Sequence, residues 1–319
     1  MLFSLIVLVF GFVLLVYGAD KLVEAATSIA ARLSIPNSVI GLTVVAFGTS
    51  APELSVNVMA AIEGSGEMVM ANVLGSNVFN GLVILGLCAL IFPLTVKSAT
   101  TWIEVPLSFL AALLVWILAS DQWLDGGEIN LVSRSEGLVL LLFFAVFLVY
   151  TLLVSKNPQS FTEEVPVTEM KLSHAVFWLV LGLAGLVVGG NFIVTNAIFL
   201  AQSIGLSERV IGLTVVSIGT SLPELATSLA AVRKKKVDIA IGNVVGSNIF
   251  NIFLILGLSS TIHPVLVNDG TFLDILVNCV AGLLLFVFIF SGKGRMLERW
   301  EGGVFVLLYG AYLSYLLFF

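Results

Sequence analysis

Charged residues are scarce in this 319-residue sequence. Only 11% of its residues are Asp, Glu, Lys or Arg, whereas a soluble globular protein carries about 25%. Hydrophobic residues make up 59% of the chain. The charged residues are too few to cover a water-facing surface, so the sequence excludes a soluble protein and predicts an integral membrane protein.

Cysteine and histidine are also scarce. Cys88 and Cys279 lie far apart in apolar runs, which excludes a disulfide framework and a metal knuckle. His174 and His263 flank apolar runs and are expected at the membrane interfaces. Because soft transition metals call for Cys or His ligands, the sequence disfavours a soft-metal site. We expect no cofactor.

Long apolar runs between polar breaks predict an all-α protein with ten transmembrane helices, since each span needs roughly 20 mostly apolar residues. The predicted spans are 2–31, 35–62, 67–92, 102–119, 137–155, 174–204, 207–232, 238–262, 271–290 and 300–318. The longest polar connection predicts three parts, namely a first repeat at 1–155, a linker at 156–173 and a second repeat at 174–319.

The chain repeats itself at a fixed offset of 171 residues. GLTVVAFGTSAPEL, from Gly41, matches GLTVVSIGTSLPEL, from Gly212, at 11 of 14 positions. NVLGSNVFN, from Asn72, matches NVVGSNIFN, from Asn243, at 7 of 9 positions. The two halves are therefore expected to be duplicates, each with five helices.

Basic residues predict how the halves lie in the bilayer, because basic loops stay cytoplasmic. The loop EGSGE at Glu63–Glu67 corresponds to a second-half loop that begins with Arg233 and three lysines. Equivalent loops thus face opposite sides, and an odd number of helices per half produces that inversion. An external N-terminus places eleven basic residues inside, namely Arg32, Lys97, Lys156, Lys171, Arg233, Lys234, Lys235, Lys236, Lys293, Arg295 and Arg299. Only Arg134 and Arg209 then fall outside, so we predict a multi-pass cell-membrane protein with both termini outside and a cytoplasmic linker.

Two acidic residues lie in the middle of predicted spans, Glu53 in the second and Glu224 in the seventh. A charged side chain at this depth costs about 2.5–3.5 kcal/mol on insertion scales, and such residues are usually functional. A structural ion pair is the alternative, but nearly every basic residue lies at a helix end. Lys21 is the exception, and it has Asp20 and Glu24 beside it.

Oxygen-bearing side chains accompany each glutamate. On a continuous helix, Thr49 and Ser50 share a face with Glu53, and Thr220 and Ser221 repeat this pattern with Glu224. The next helix of each half adds a serine and an asparagine one turn apart, Ser76 with Asn80 and Ser247 with Asn251. Calcium takes six to eight oxygen ligands, and sodium can use the same groups. Isolated Ser or Thr residues in a membrane often only bond their own helix, but two mirrored sets favour a cation site.

Proline interrupts both glutamate-bearing helices. Pro52 and Pro223 remove a backbone donor one residue before each glutamate, and Gly48 and Gly219 loosen the preceding turn. Carbonyls freed at such a break can point at a cation, as in discontinuous transporter helices. The backbone carbonyls of Ala46 and Ser217 are placed to do so.

The paired motifs GTSAPE with GSNVFN and GTSLPE with GSNIFN resemble the two alpha-repeats of the cation/calcium exchanger superfamily, and the chain is similar throughout to its compact prokaryotic sodium/calcium exchangers. The resemblance implies alternating access, with sodium entering and calcium leaving. It also implies a set of ion ligands: Ala46, Thr49, Ser50, Glu53, Ser76, Asn80, Ser217, Thr220, Ser221, Glu224, Ser247 and Asn251.

Some members of the superfamily, including potassium-dependent ones, carry Asp where this chain has Asn251, so potassium coupling stays open. The proton-coupled branch typically has a GNxxE-type repeat, which disfavours proton exchange. A passive cation channel and an intramembrane enzyme with Glu53 and Glu224 as acid and base are further alternatives. An acid/base pair needs unlike environments, however, and the two surroundings are nearly identical. The expected partners are sodium, calcium and the lipid bilayer, with no nucleic acid and no obligate protein.

Overall fold

The structure is a computed structural model that describes residues 2–98, 100–124, 126–155, 170–203, 217–268, 270–292 and 294–318. Most of the predicted linker at 156–173 and the start of the predicted span 207–232 lie outside these residues. So do Lys156, Arg209 and Lys293 of the charge pattern.

Helices make up most of the described chain. In chain order they are α1 (Leu2–Leu33), α2 (Asn37–Thr49), α3 (Ala51–Ile62), α4 (Gly66–Ile91), α5 (Thr100–Leu118), α6 (Asp121–Leu124), α7 (Arg134–Ser155), α8 (Leu172–Ser203), α9 (Ser217–Thr220), α10 (Leu222–Arg233), α11 (Val237–Ile262), α12 (Thr271–Ser291) and α13 (Arg299–Phe318). Four two-residue strands join them, β1 (Leu94–Thr95), β2 (Leu131–Val132), β3 (Val265–Leu266) and β4 (Met296–Leu297).

Seven of the described helices are long and apolar enough to cross a membrane: α1, α4, α5, α7, α8, α11 and α12. The pair α2 and α3 adds an eighth candidate span if its two parts are counted together. The protein is therefore an all-helical, multi-pass membrane protein. α4 and α11 lie in the interior, with 72% and 89% of their most apolar stretches buried.

Two glycine contacts set the crossing of α1 and α8. A Cβ atom added at Gly11 would lie 2.9 Å from the Gly189 carbonyl oxygen, and one added at Gly18 would lie 2.8 Å from that of Gly182. The residue order shows that the helices run antiparallel. Gly11 corresponds to Gly182 and Gly18 to Gly189 at the repeat offset, so the two repeat-equivalent helices pack through the same surface.

The helix that carries each glutamate is broken at a serine. Ser50 has φ −82° and ψ 6°, and α2 and α3 meet there at an angle of 49°. Ser221 has φ −87° and ψ 6° between α9 and α10. In both places a proline occupies the first turn of the new helix, where its missing N–H is not needed. The predicted breaks are thus confirmed, two residues before each proline.

Corresponding connections make corresponding contacts. Strand β1 pairs antiparallel with β4, and β3, which is β1 moved by the repeat offset, pairs antiparallel with β2. Lys97 forms an ion pair of 2.6 Å with Asp238. The equivalent positions, Asn268 and Glu67, form a hydrogen bond of the same length.

Candidate cation-binding site

The predicted side-chain ligands lie in the interior of the molecule. α2, α3 and α4 bring those of the first half, and α9, α10 and α11 bring those of the second. None of these side chains is more than 8% exposed. They are Thr49, Ser50, Glu53, Ser76, Asn80, Thr220, Ser221, Glu224, Ser247 and Asn251.

Serine hydroxyls connect each glutamate to the opposite half. Ser50 Oγ donates to Glu224 Oε1 at 3.0 Å, and Ser221 Oγ donates to Glu53 Oε1 at 3.3 Å. Ser247 Oγ lies 3.4 Å from Glu224 Oε1 and 3.0 Å from Ser50 Oγ. Two carboxyl groups that are 171 residues apart in the chain therefore belong to one buried site.

Five buried side-chain oxygens of this site have no hydrogen-bond partner among the residues that the structure describes. They are Glu53 Oε2, Glu224 Oε2, Ser76 Oγ, Asn80 Oδ1 and Asn251 Oδ1. An unpartnered polar atom in the interior is costly, and most buried polar atoms are satisfied. A bound cation would satisfy these oxygens together, and carboxylate, amide and hydroxyl oxygens suit the hard cations calcium and sodium.

The glutamates are not part of a structural ion pair within the described chain. The ion pairs found there involve Lys21, Lys97 and Lys234, and none of them reaches Glu53 or Glu224. Lys21 binds Glu24 at 2.9 Å, as expected from its neighbours. The negative charge of the site is thus available to a cation.

Comparison with known proteins decides the family. The family model "Sodium/calcium exchanger protein" matches residues 3–153 and 174–318. The sodium/calcium exchanger MaX1 of Methanosarcina acetivorans is 34% identical, covering 99% of each chain. Inner membrane protein YrbG of Escherichia coli is 37% identical, covering 83% of this chain and 81% of its own. A solved structure of the sodium-calcium exchanger NCX_Mj, soaked with sodium and strontium, superposes with a TM-score of 0.84 at 29% identity, covering 98% of this chain and 97% of that one.

The chain belongs to the sodium/calcium exchanger family. It is therefore an antiporter of the cation/calcium exchange type and a transporter rather than an enzyme. The acid/base alternative is thereby set aside.

The helix break corrects one part of the sequence argument. On a continuous helix, Thr49 and Ser50 would share a face with Glu53. In the exchanger, Thr49 ends α2, Ser50 lies at the break and Glu53 belongs to α3. The hydroxyl of Ser50 consequently reaches Glu224 of the other half. Thr49, Ser50 and Glu53 therefore do not share one continuous helical face, and the serine serves the glutamate of the opposite half.

The two predicted carbonyl ligands differ in what the structure shows of them. Ala46 O accepts a hydrogen bond from Ser50 N at 3.0 Å, and the Thr49 hydroxyl lies 3.2 Å from it. The same hydroxyl lies 3.1 Å from Asn243 Oδ1 and carries only one proton. When that proton goes to Asn243, a lone pair of Ala46 O is left for a cation. Ser217, which corresponds to Ala46 at the repeat offset, is the first residue of α9.

Sequence reasoning missed a layer of polar residues behind the ligands. Asn243 Nδ2 lies 3.3 Å from Glu224 O and 3.0 Å from Ser228 Oγ. In the other half, Asn57 Nδ2 lies 2.7 Å from Glu53 O and 2.9 Å from Asn72 Oδ1. These contacts fix the glutamate-bearing helices against α4 and α11. The signal was present, because Asn72 and Asn243 are identical at the repeat offset.

Proposed function

We propose that the protein is a sodium/calcium antiporter that works by alternating access at this site. The observation that carries the proposal is a group of five buried oxygens on the predicted ligands, two of them on Glu53 and Glu224, that have no hydrogen-bond partner among the described residues. Such a group is unfavourable when empty and favourable when it encloses a cation. The exchanger MaX1 and the sodium-soaked NCX_Mj support sodium and calcium as the exchanged ions.

The proposed ligands are the twelve that the sequence predicted: Ala46, Thr49, Ser50, Glu53, Ser76, Asn80, Ser217, Thr220, Ser221, Glu224, Ser247 and Asn251. Glu53 and Glu224 supply two negative charges when they are ionised. One calcium ion or two sodium ions neutralise that charge. The hydroxyl, amide and carbonyl dipoles around the site make a third sodium ion tolerable, and the family resemblance favours it, so we expect the exchange to be electrogenic.

We further propose that the exchanger has ten spans in two inverted five-helix repeats, with both termini outside the cell membrane. The antiparallel packing of the equivalent helices α1 and α8 supports this arrangement. The strand pairs also support it, because β1 of the first half pairs with β4 of the second and β2 of the first half pairs with β3 of the second. The contact of Lys97 with Asp238 is matched by that of Asn268 with Glu67. A two-fold axis in the membrane plane gives each helix an inverted counterpart around one central site, which is the plan on which many secondary transporters operate.

The test is calcium uptake into proteoliposomes that contain the purified protein and are preloaded with sodium. An outward sodium gradient should drive calcium to an internal concentration above the external one. A passive channel would only equilibrate calcium, and a proton-coupled exchanger would respond to a pH gradient in the absence of sodium. The double variant Glu53→Gln/Glu224→Gln is the control, since it removes the charge while preserving the shape of both side chains.

A further inference from the structure

We propose that Asn77 and Asn248, which are not among the proposed ligands, are positioning residues that orient the ligand amides of the opposite half. This inference rests on the proposed function of the site. Asn77 acts on Asn251, and Asn248 acts on Asn80. Neither positioning residue needs to touch the cation.

The contacts are reciprocal. Asn251 Nδ2 donates to Asn77 Oδ1 at 2.9 Å, and Asn80 Nδ2 donates to Asn248 Oδ1 at 3.1 Å. Asn77 and Asn248 occupy equivalent positions at the repeat offset, as do Asn80 and Asn251. Each bond therefore links one half of the molecule to the other. Asn77 Nδ2 is itself held by the backbone oxygen of Asn248 at 3.3 Å.

A carboxamide needs such a partner because its two ends have nearly the same shape but opposite chemistry. The oxygen accepts, and can bind a cation, whereas the NH₂ group donates and repels one. Shape alone does not decide which end faces the site. In this protein the Nδ2 atoms of Asn80 and Asn251 are bonded across the interface, and their Oδ1 atoms are buried and unpartnered. The hydrogen bond thus selects the end that faces the cation.

Because both bonds join α4 to α11, the orientation of the two ligand amides depends on how these two helices are positioned relative to each other. A displacement of α4 relative to α11 would break the bond and let the amide rotate, even if no ligand left its own helix. The two positioning residues are thereby expected to affect cation affinity more than maximal transport rate.

The first variants remove the acceptor while keeping the branched shape of the side chain. Asn77→Leu should raise the apparent KM for calcium by about tenfold or more, because the freed amide of Asn251 no longer presents its oxygen reliably. Asn248→Leu should do the same through Asn80. Initial rates of sodium-driven calcium uptake give KM and the maximal rate, and calorimetric titration of calcium in sodium-free detergent gives an independent Kd.

A second substitution separates positioning from packing. Both oxygens of an aspartate accept, so Asp presents oxygen to the cation whichever way it is rotated. In an Asn251→Asp background, Asn77→Leu should therefore change KM and Kd by less than about threefold relative to that background alone. A packing role for Asn77 would give the same fold-change in both backgrounds, and that result would overturn the proposal.

The other ligand amide provides the matched control. In an Asn80→Asp background, Asn77→Leu should keep its full effect, because Asn77 orients Asn251 and not Asn80. The converse holds for Asn248→Leu, which Asn80→Asp should rescue and Asn251→Asp should not. If either aspartate background rescued both leucine variants, that result would also refute the pairing of Asn77 with Asn251 and of Asn248 with Asn80.

Folding and function are checked separately. Each variant is compared by size-exclusion profile and thermal melting, and Asn77→Ser replaces Asn77→Leu if the latter does not fold, since its hydroxyl is too short to reach Asn251. Failure of the unsubstituted protein to exchange calcium for sodium would contradict the proposed function. Normal exchange with equal effects of Asn77→Leu in every background would contradict the positioning role alone.

Discussion

At the scale of single residues, the glutamates are held by the opposite half of the chain. Glu224 accepts from Ser50, and Glu53 accepts from Ser221. One oxygen of each carboxylate is bonded in this way, and the other has no partner in the described part of the chain. Each glutamate is thus held in orientation by a neutral donor and keeps its charge for a cation.

Replacing either glutamate tests this division of roles. Glu53→Gln or Glu224→Gln should lower sodium-driven calcium uptake by about 100-fold or more, since loss of one partner from a buried charge interaction costs about 3–5 kcal/mol. The amide keeps an oxygen for the serine bond, so both variants should fold and insert normally. Near-normal uptake by either purified variant would remove that residue from the site.

At the scale of helices, the breaks at Ser50 and Ser221 place the serine hydroxyls. Because Pro52 and Pro223 lie in the first turn of the new helices, the serine two positions before each proline leaves the regular helical path. The hydroxyl of Ser50 then points across to Glu224 and not along its own helix. Because of the break, Ser50 can donate to Glu224 although it lies three positions before Glu53, and Ser221 can donate to Glu53 in the same way.

Restoring the missing N–H should impair this geometry. We expect Pro52→Ala and Pro223→Ala to lower the calcium exchange rate at least several-fold, because the new N–H can bond the carbonyl four residues earlier and straighten the helix. Pro106→Ala is the matched control. Pro106 lies in the first turn of Val105–Leu118, the α-helical segment of α5, and outside the site. Uptake assays at saturating calcium compare the three. An equal loss in Pro106→Ala would show a general effect on folding.

The helix breaks could be predicted from sequence because proline acts locally. The π-helical segments Phe79–Ile84 and Phe250–Leu256 could not, although they carry Asn80 and Asn251. A π-helical turn adds a residue to the helix without a fixed residue signature, and it is often found at functional sites. Its position here depends on how α4 and α11 pack, which local spacing does not encode.

At the scale of the whole molecule, the internal duplication indicated which residues matter but not how they pair. Each of the bonds from Ser50 to Glu224 and from Asn251 to Asn77 joins residues 174 positions apart. A comparison of the halves shows that each end of such a bond has its own repeat-equivalent residue, but the two ends are not equivalent to each other. Only the folded structure shows that the bonds run between halves, since sequence spacing describes neighbours on one helix.

The proposed topology has its own test. Glu63 and Lys235 lie exposed in repeat-equivalent loops, after α3 and after α10. A cysteine in Glu63→Cys should react with an impermeant thiol reagent added outside cells, and one in Lys235→Cys should react only after the cytoplasm is opened. The native Cys88 and Cys279 are buried, so the unsubstituted protein is a suitable blank. Labelling of both cysteines from the same side would contradict the inverted arrangement.

The exchanger is expected to move sodium and calcium in one transport cycle without potassium. The described residues around the site contribute two carboxylates, and the amides of Asn80 and Asn251 contribute none. Without a third carboxylate at position 251, the site has no extra negative charge to offset a potassium ion bound together with calcium. Calcium uptake should therefore continue when an inert organic cation replaces potassium on both sides of the proteoliposome membrane.

The proposed third sodium ion predicts a response to membrane potential. If three sodium ions move against one calcium ion, one net positive charge crosses the membrane in each cycle, and 100 mV is worth about 2.3 kcal/mol per charge. With sodium inside and calcium outside, a potential that is positive inside should speed calcium uptake, because it favours net outward movement of positive charge. In potassium-free vesicles, a proton gradient with a protonophore sets the membrane potential. Calcium uptake by vesicles with the Glu53→Gln/Glu224→Gln variant measures the leak that does not depend on exchange. A strict potassium requirement would refute the argument from Asn251, and uptake at the same rate at every potential would refute the third sodium ion.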